Sequence, residues 1–193
     1  MIMLPTDTVL IVVDVQHAFD NPVWGSRNNP TAEQKIAELL AAWRSRALPI
    51  IHIQHLNPNP KSIFNRDQPG FRIKDEAMPL GGEPVLFKSV NSAFIGTDLE
   101  ERLRSRGTRV IVIAGITTDH CVSTTTRMAG NLGFDTYIVS DATATFERTG
   151  PDGRHWSAED MHDTALASLD KEFATVVTTA EVLEALGDSQ PSE

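Results

Sequence analysis

Three short apolar runs constrain the fold more than any other feature of this chain: Val9-Leu10-Ile11-Val12-Val13, Pro49-Ile50-Ile51-His52-Ile53 and Val110-Ile111-Val112-Ile113-Ala114. Each is rich in β-branched residues and apolar continuously rather than alternately. A strand with one face in water alternates, whereas a strand covered on both faces does not. These runs therefore belong in a parallel sheet sandwiched between helices. Thr136-Tyr137-Ile138-Val139, Ala174-Thr175-Val176-Val177 and the weaker Pro84-Val85-Leu86-Phe87 bring the expected strands to six.

Helical periodicity fills the gaps between them. Thr31 to Arg46 places Ile36, Leu39, Leu40 and Trp43 on one face, with Thr31 and Gln34 spaced as a capping box. Thr97 and Glu100 repeat that spacing around Leu99 and Leu103, and Gly107 stands where a left-handed C-terminal residue is wanted. A third helix is expected from about Asp119 to Leu132, stopped by Gly133. Ser157 with Asp160 opens a fourth carrying Met161, Ala165, Leu166 and Leu169, and Ala180 to Leu186 makes a short fifth. The order of elements implies α/β architecture: an open, six-stranded, mostly parallel sheet with helices on both faces, a Rossmann-like three-layer arrangement. With 193 residues and neither repeats nor low-complexity linkers, the expectation is a single domain over residues 1–186 and a flexible tail over 187–193. From Leu56 to Glu83 the rhythm breaks into a loop holding Pro58, Pro60, Pro69, Pro79, Phe64 and Phe71. Loops this long are functional covers or local disorder, and this one reads as a lid or an oligomer contact.

Charge narrows the partners. Seventeen Lys plus Arg against 26 Asp plus Glu leave a net charge of −9, which argues against nucleic acid or an anionic membrane as the main partner and leaves small molecules or proteins. No run approaches the roughly 18 apolar residues needed to span a bilayer, and Met1 to Thr8 do not pair a charged region with a long apolar stretch. A cytoplasmic location is expected. The single cysteine, Cys121, excludes both an intramolecular disulfide framework and a Cys-rich zinc site.

Ligands of open α/β sheets bind beyond the carboxyl ends of the strands. Three residues there can carry chemistry: Asp14 after the first run, Lys88 after Phe87, and Cys121 in the polar turn Gly115-Ile116-Thr117-Thr118-Asp119-His120-Cys121. A thiol in the first turn of a helix is favoured as thiolate by the helix dipole and by unpaired N–H groups, although a lone cysteine also serves as a small buried hydrophobe. Asp14 also reads as a cap of the following turn, and Lys88 as a solvated surface charge. Together the three make a coherent set of base, cation and nucleophile.

The chain resembles the isochorismatase-like cysteine hydrolases, a family that includes nicotinamidases, carbamoylsarcosine-type amidases and ureidoacrylate-type amidases. The resemblance is carried by Val12-Val13-Asp14-Val15-Gln16, by Lys88 with Asn91-Ser92-Ala93-Phe94, and by Gly115 through Val122, in the family's order. It implies the six-stranded fold already read, a catalytic triad of Asp14, Lys88 and Cys121, and an oxyanion hole from the backbone amides of Thr117 and Cys121. A non-proline cis peptide between Ile116 and Thr117 and a homo-oligomeric state, dimer or tetramer, are implied with it. Nicotinamidases of the family bind a metal near the second strand through an aspartate and histidines. Here His52 and His55 occur in that stretch without the aspartate, so neither metal nor other cofactor is expected. Vinyl-ether-cleaving isochorismatases lack the cysteine nucleophile, so Cys121 implies attack on the carbonyl of a small amide, ureido or carbamoyl compound. Isochorismatase-type or nicotinamidase-type hydrolysis stands as the alternative. A noncatalytic binding module or a thiol redox sensor is the reading from another class; nucleotide binding is disfavoured, since no G-x-G-x-x-G or G-x-x-x-x-G-K-[ST] follows any expected strand.

For the pocket, Phe19, Trp24, Asn91 and Phe94 follow the first and third strand ends, and Trp156, beside His155, follows a turn cluster from which it could close the site. Each aromatic is equally compatible with core packing or a subunit contact. His120 adjoins Cys121, but helical neighbours point about 100° apart, so it is not expected to serve as the thiol's base.

Overall fold

All six apolar runs become strands of one sheet. The computed structural model describes residue 2 and residues 4–188, in the order β1 (Val9–Val13), α1 (Ala32–Ser45), β2 (Ile50–His55), β3 (Val85–Lys88), α2 (Leu99–Ser105), β4 (Val110–Ile116), α3 (Ser123–Asn131), β5 (Asp135–Ala144), β6 (Arg148–Thr149), β7 (His155–Trp156), α4 (Ala158–Leu169), β8 (Thr175–Val177) and α5 (Thr179–Asp188). The main sheet runs β3-β2-β1-β4-β5-β8 with every neighbouring pair parallel, and β6 and β7 form a separate antiparallel ribbon. Period-2 alternation then divides the core. Leu10 and Val12 pack with α1 and α5 on one face, and Val9, Ile11 and Val13 pack with α2, α3 and α4 on the other. No helix among the described residues is long and apolar enough to cross a membrane.

From β1 the chain steps outward to β2 and β3, then returns to the opposite side of β1 for β4, β5 and β8. The carboxyl ends of β1 and β4 therefore border the switch point at which an open α/β sheet forms its crevice. Gly115 lets those ends come close. Its φ is +136°, and a Cβ there would collide with the Val13 carbonyl oxygen of the paired strand. The β4–β5 register also slips between Ile113 and Gly115, a local irregularity beside the crevice.

Local caps differ from the sequence pattern in two places. Ser157 and Asp160 close their capping box at the start of α4. Thr31 makes no side-chain cap to α1, and α2 begins after Asp98, also without a side-chain cap. Thr97, one residue earlier, donates its hydroxyl to the Ala93 carbonyl at 2.5 Å while its oxygen accepts from the Leu99 amide at 3.3 Å, which ties the helix start back to the preceding loop. At the C-terminus, Gly187 and Asp188 belong to α5 rather than to a tail, and residues 189–193 of the expected tail lie outside the described residues.

The segment from Leu56 to Glu83 is packed rather than loose. Gln16 donates its side-chain amide to Phe71 and His55 carbonyls at 2.9 and 3.1 Å, and the Lys74 amide donates to the Val15 carbonyl at 2.9 Å. The buried Lys74 ammonium lies 2.7 Å from Glu33 and 2.5 Å from Asp20, while Arg27 forks both Glu33 oxygens. Against the opposing effect of burial, hydrogen bonds from Arg27 and Lys74 hold the Glu33 carboxyl at about 2. One ionic cluster thus fastens the long loop to α1 and to the turn after β1.

Candidate active site

Asp14 leaves β1 with a φ of +53°, a left-handed turn that Asp tolerates better than most residues. Its carboxylate lies 2.5 Å from the Lys88 ammonium, and neither side chain is exposed to solvent. Lys88 is the last residue of β3 and, like Leu86, lies on the α2–α4 face of the sheet. Its ammonium also donates to the Cys121 sulfur at 3.2 Å and to Nδ1 of His55 at 3.1 Å. Sequence positions far apart are thus brought to one point by the strand ends of β1, β2 and β3 and by the turn after β4.

That turn is a π-helical segment, Thr118–Val122, entered through a cis Ile116–Thr117 peptide and leading into α3. Cys121 consequently precedes the α-helix instead of opening it. The expectation of a favoured thiolate is overturned with it: burial, reinforced by the negative charge of Asp14 and only partly offset by Lys88, pushes the thiol up to about 12. Burial likewise raises the Asp14 carboxyl above its ordinary value, with the Lys88 charge opposing. Asp14 and Lys88 thus stand in ion-pair contact beside a thiol whose ionisation burial opposes.

Above these groups lies a cavity of about 150 Å³, floored by Asp14, Thr117 and Cys121. Phe19 and Trp24 wall it, Asn91 and His120 stand among its lining residues, and Phe64 reaches in from the long loop. Phe64 meets the Phe19 and His55 rings edge-on at 5.2 Å, and Phe146 backs Phe19 and Trp24 in a second row at 6.1 and 5.6 Å. The Trp24 indole N–H donates to the Ala18 carbonyl at 2.8 Å, which fixes its ring plane. Two residues expected here are elsewhere. Phe94 stacks on Phe134 at 6.1 Å over the α2–α4 core, because the turn before it is tied by the Ala93 amide to Thr125. Trp156 lies under the Arg154 guanidinium at 3.8 Å on the β6–β7 ribbon, and His155 pairs with Glu147.

Sequence reasoning missed His55 and Phe64. His55 ends β2 directly opposite Lys88 in register, so its alternation with Ile51 and Ile53 could have placed it on the site face. Phe64 sits in an aperiodic segment and offered no such signal. His52, three residues before His55, falls on the opposite face, where its ring nitrogen meets Glu83 at 2.9 Å. The two histidines therefore cannot join in one metal site. Asp14, His55 and Cys121 do bring ligand atoms within 4.8 Å of one another, but all three contact the Lys88 ammonium, which fills the place a metal cation would need. A metal does not fit this donor set with Lys88 in position.

The family model for the isochorismatase domain matches residues 8–181. The isochorismatase family protein YrdC of Bacillus subtilis is 48% identical over 174 residues, covering 90% of this chain and 93% of that protein. A solved isochorismatase-family structure from Chromobacterium violaceum superposes with a TM-score of 0.94 at 46% identity, over 97% of each chain. A cysteine hydrolase structure from Pseudomonas syringae pv. phaseolicola superposes at 0.89 and 27% identity, over 97% of this chain and 96% of that one. The ureidoacrylate amidohydrolase RutB of Methylobacterium radiotolerans is 26% identical over 218 residues, covering 95% of this chain and 81% of that enzyme. With the whole main sheet and the site turn inside the matched span, the chain belongs to the isochorismatase family of hydrolases.

Proposed function

We propose that the protein is a metal-independent cysteine amidohydrolase that cleaves a C–N bond of a small amide, ureido or carbamoyl compound through a thioester. The reading is carried by one observation: a buried ammonium contacts both a buried carboxylate and the only thiol of the chain, at the floor of an aromatic-walled cavity. The similarity to a cysteine hydrolase and to an amidohydrolase supports the same chemistry.

Asp14, whose proton affinity burial has raised, takes the thiol proton as the sulfur attacks the substrate carbonyl carbon. A carboxyl with a raised value matches a reluctant thiol better than an ordinary one does. Lys88 offsets the negative charge passed between sulfur and carboxylate. The carbonyl oxygen becomes an oxyanion held by the backbone amides of Thr117 and Cys121. As the C–N bond breaks, Asp14 returns its proton to the leaving nitrogen, and the acyl group stays on sulfur as a thioester. Water then attacks the thioester carbonyl while Asp14 takes its proton, and the released thiolate recovers a proton from Asp14. A redox-sensing role fits poorly, because sensor cysteines need an accessible, low-pKa thiol, whereas this one is mostly neutral.

The test is ammonia or amine release from a panel of small amides, ureido acids and carbamoyl compounds. Cys121→Ala, Asp14→Asn and Lys88→Met should each lose turnover, by about 10³-fold or more for the nucleophile. Hydrolysis surviving Cys121→Ala ends the proposal.

A further inference from the structure

We infer that His55 is a positioning residue of this site: as a neutral imidazole it accepts an N–H of the Lys88 ammonium and so holds that cation between Asp14 and Cys121. The inference concerns geometry, and its consequence for turnover rests on the hydrolase reading above.

A lysine ammonium has three N–H donors and no acceptor. Here the ammonium donates to His55 Nδ1 at 3.1 Å and to Cys121 Sγ at 3.2 Å, and it forms an ion pair with the Asp14 carboxylate at 2.5 Å. Remove one and a buried charged donor is left free to swing toward the others or to recruit water. The swing matters because Asp14 has to keep an oxygen available for the thiol proton. An imidazole suits the third place because it accepts without adding charge; a carboxylate there would pair with the ammonium and draw it from Asp14.

His55 is itself held in place. Its backbone N–H donates to the Gln16 side-chain oxygen at 2.8 Å, and its carbonyl accepts from the Gln16 amide at 3.1 Å. Phe64 from the long loop packs edge-on to the ring. The groups around the ring are Asp14 from β1, Lys88 from β3, Cys121 and the exposed His120 from the π-turn, and the uncharged Phe64. The nearest full charge in direct contact is the Lys88 cation, and burial with that cation lowers the imidazole to about 4. With Nδ1 accepting, the ring proton resides on Nε2, a donor in a cavity-lining residue.

Long-range ¹H–¹⁵N spectra of ¹⁵N-histidine-labelled protein, assigned with His55→Gln, test this directly. The expected result at neutral pH is a neutral Nε2–H tautomer whose unprotonated Nδ1 resonance moves when Lys88 is replaced in Lys88→Met. A protonated ring, or an Nδ1–H tautomer, overturns the inference. A second readout is Cys121 alkylation by iodoacetamide under alkaline conditions. His55→Leu should slow it about tenfold, and His55→Asn, which returns an acceptor oxygen, should recover it to within about threefold. Labelling of His55→Leu at the wild-type rate also overturns it. The tautomer itself is read on the unmodified protein, with His55→Gln needed only for assignment, so it decides even where His55→Leu fails to fold. Neither readout requires turnover, so failure to hydrolyse any amide removes the proposed function without mimicking either result.

Discussion

The Lys88 ammonium and the Asp14 carboxylate lie 2.5 Å apart with both side chains fully out of solvent. Burying either charge alone carries a heavy desolvation cost, which the partner offsets. Lys88→Met strands a carboxylate, and Asp14→Asn strands an ammonium. Each single variant should lose about 3–5 kcal/mol of stability, while the double variant loses clearly less than the sum of the two. Urea unfolding of the three proteins supplies the cycle, and strict additivity would show that the pair does not act as a unit.

The same carboxylate governs the thiol in the opposite sense from turnover. Burial and then the Asp14 charge hold Cys121 up at about 12. Iodoacetamide should therefore label the folded protein at neutral pH at least about a hundredfold more slowly than a free cysteine. Asp14→Asn removes a negative charge from beside the sulfur, leaving Lys88 to favour thiolate. Labelling should then accelerate about tenfold or more even as hydrolysis is lost, because the proton acceptor has gone. Parallel alkylation time courses and ammonia release check this, and a decline in both would contradict it.

What the sequence revealed about this site follows its periodicities. Continuous apolar runs located all six strands, and the polar residues closing them, Asp14 and Lys88, were legible as site candidates because strand ends are where an open sheet binds ligands. The thiol's position was legible but its electrostatic state was not. A helix-start argument weighs only local dipoles, whereas Cys121 responds to burial and to a carboxylate contributed by a strand more than a hundred residues earlier. Phe64 and the packing of its loop depend on Gln16, Lys74 and Glu33, contacts between segments with no common period. Phe94 and Trp156 were misplaced for the converse reason: proximity in sequence to a site element says nothing of which way a loop turns the ring.

Gly115 and Gly107 differ in what surrounds them, although both have positive φ. A methyl group at Gly107 meets open space, while one at Gly115 meets the Val13 carbonyl of the adjacent strand. Gly107→Ala should cost about 1 kcal/mol. Gly115→Ala should cost about 3 kcal/mol or more and disturb the ends of β1 and β4 that carry the site. Melting curves of the two variants, with Cys121 labelling as a local probe, distinguish them; equal losses would mean that β1 and β4 can separate freely.

Phe64 covers the cavity from a loop anchored by side chains of β1's extension and α1. Phe64→Ala removes an edge-on contact to Phe19 and to His55 and widens the opening. The expected outcome is selective: a bulky maleimide should gain at least about threefold in its rate with Cys121 relative to iodoacetamide, while stability falls by about 1–3 kcal/mol. A uniform change for both reagents would place the entrance elsewhere.

Acid should weaken the fold in two overlapping windows. Burial lowers the imidazoles of His52, His55 and His162 from 6.5, His55 to about 4, so the unfolded chain binds protons that these folded sites refuse. Their contribution is complete above the unfolded value of 6.5 and is lost as pH falls from there toward the folded values. Glu33 and Glu83, each held at about 2 against an ordinary 4.5, extend the loss below that range, because their folded forms stay ionised after the unfolded chain has taken up protons. Asp14 acts in the reverse direction, since its raised carboxyl binds a proton more readily in the folded state than in the unfolded one. With three depressed imidazoles against Asp14, melting temperature should fall as pH drops from about 6.5 toward 4, and the two glutamates should carry the fall on below about pH 4.5. Replacing His52 by Gln should flatten the upper part of that decline, and an unchanged slope would mean that its ring is not the neutral partner of Glu83 described here.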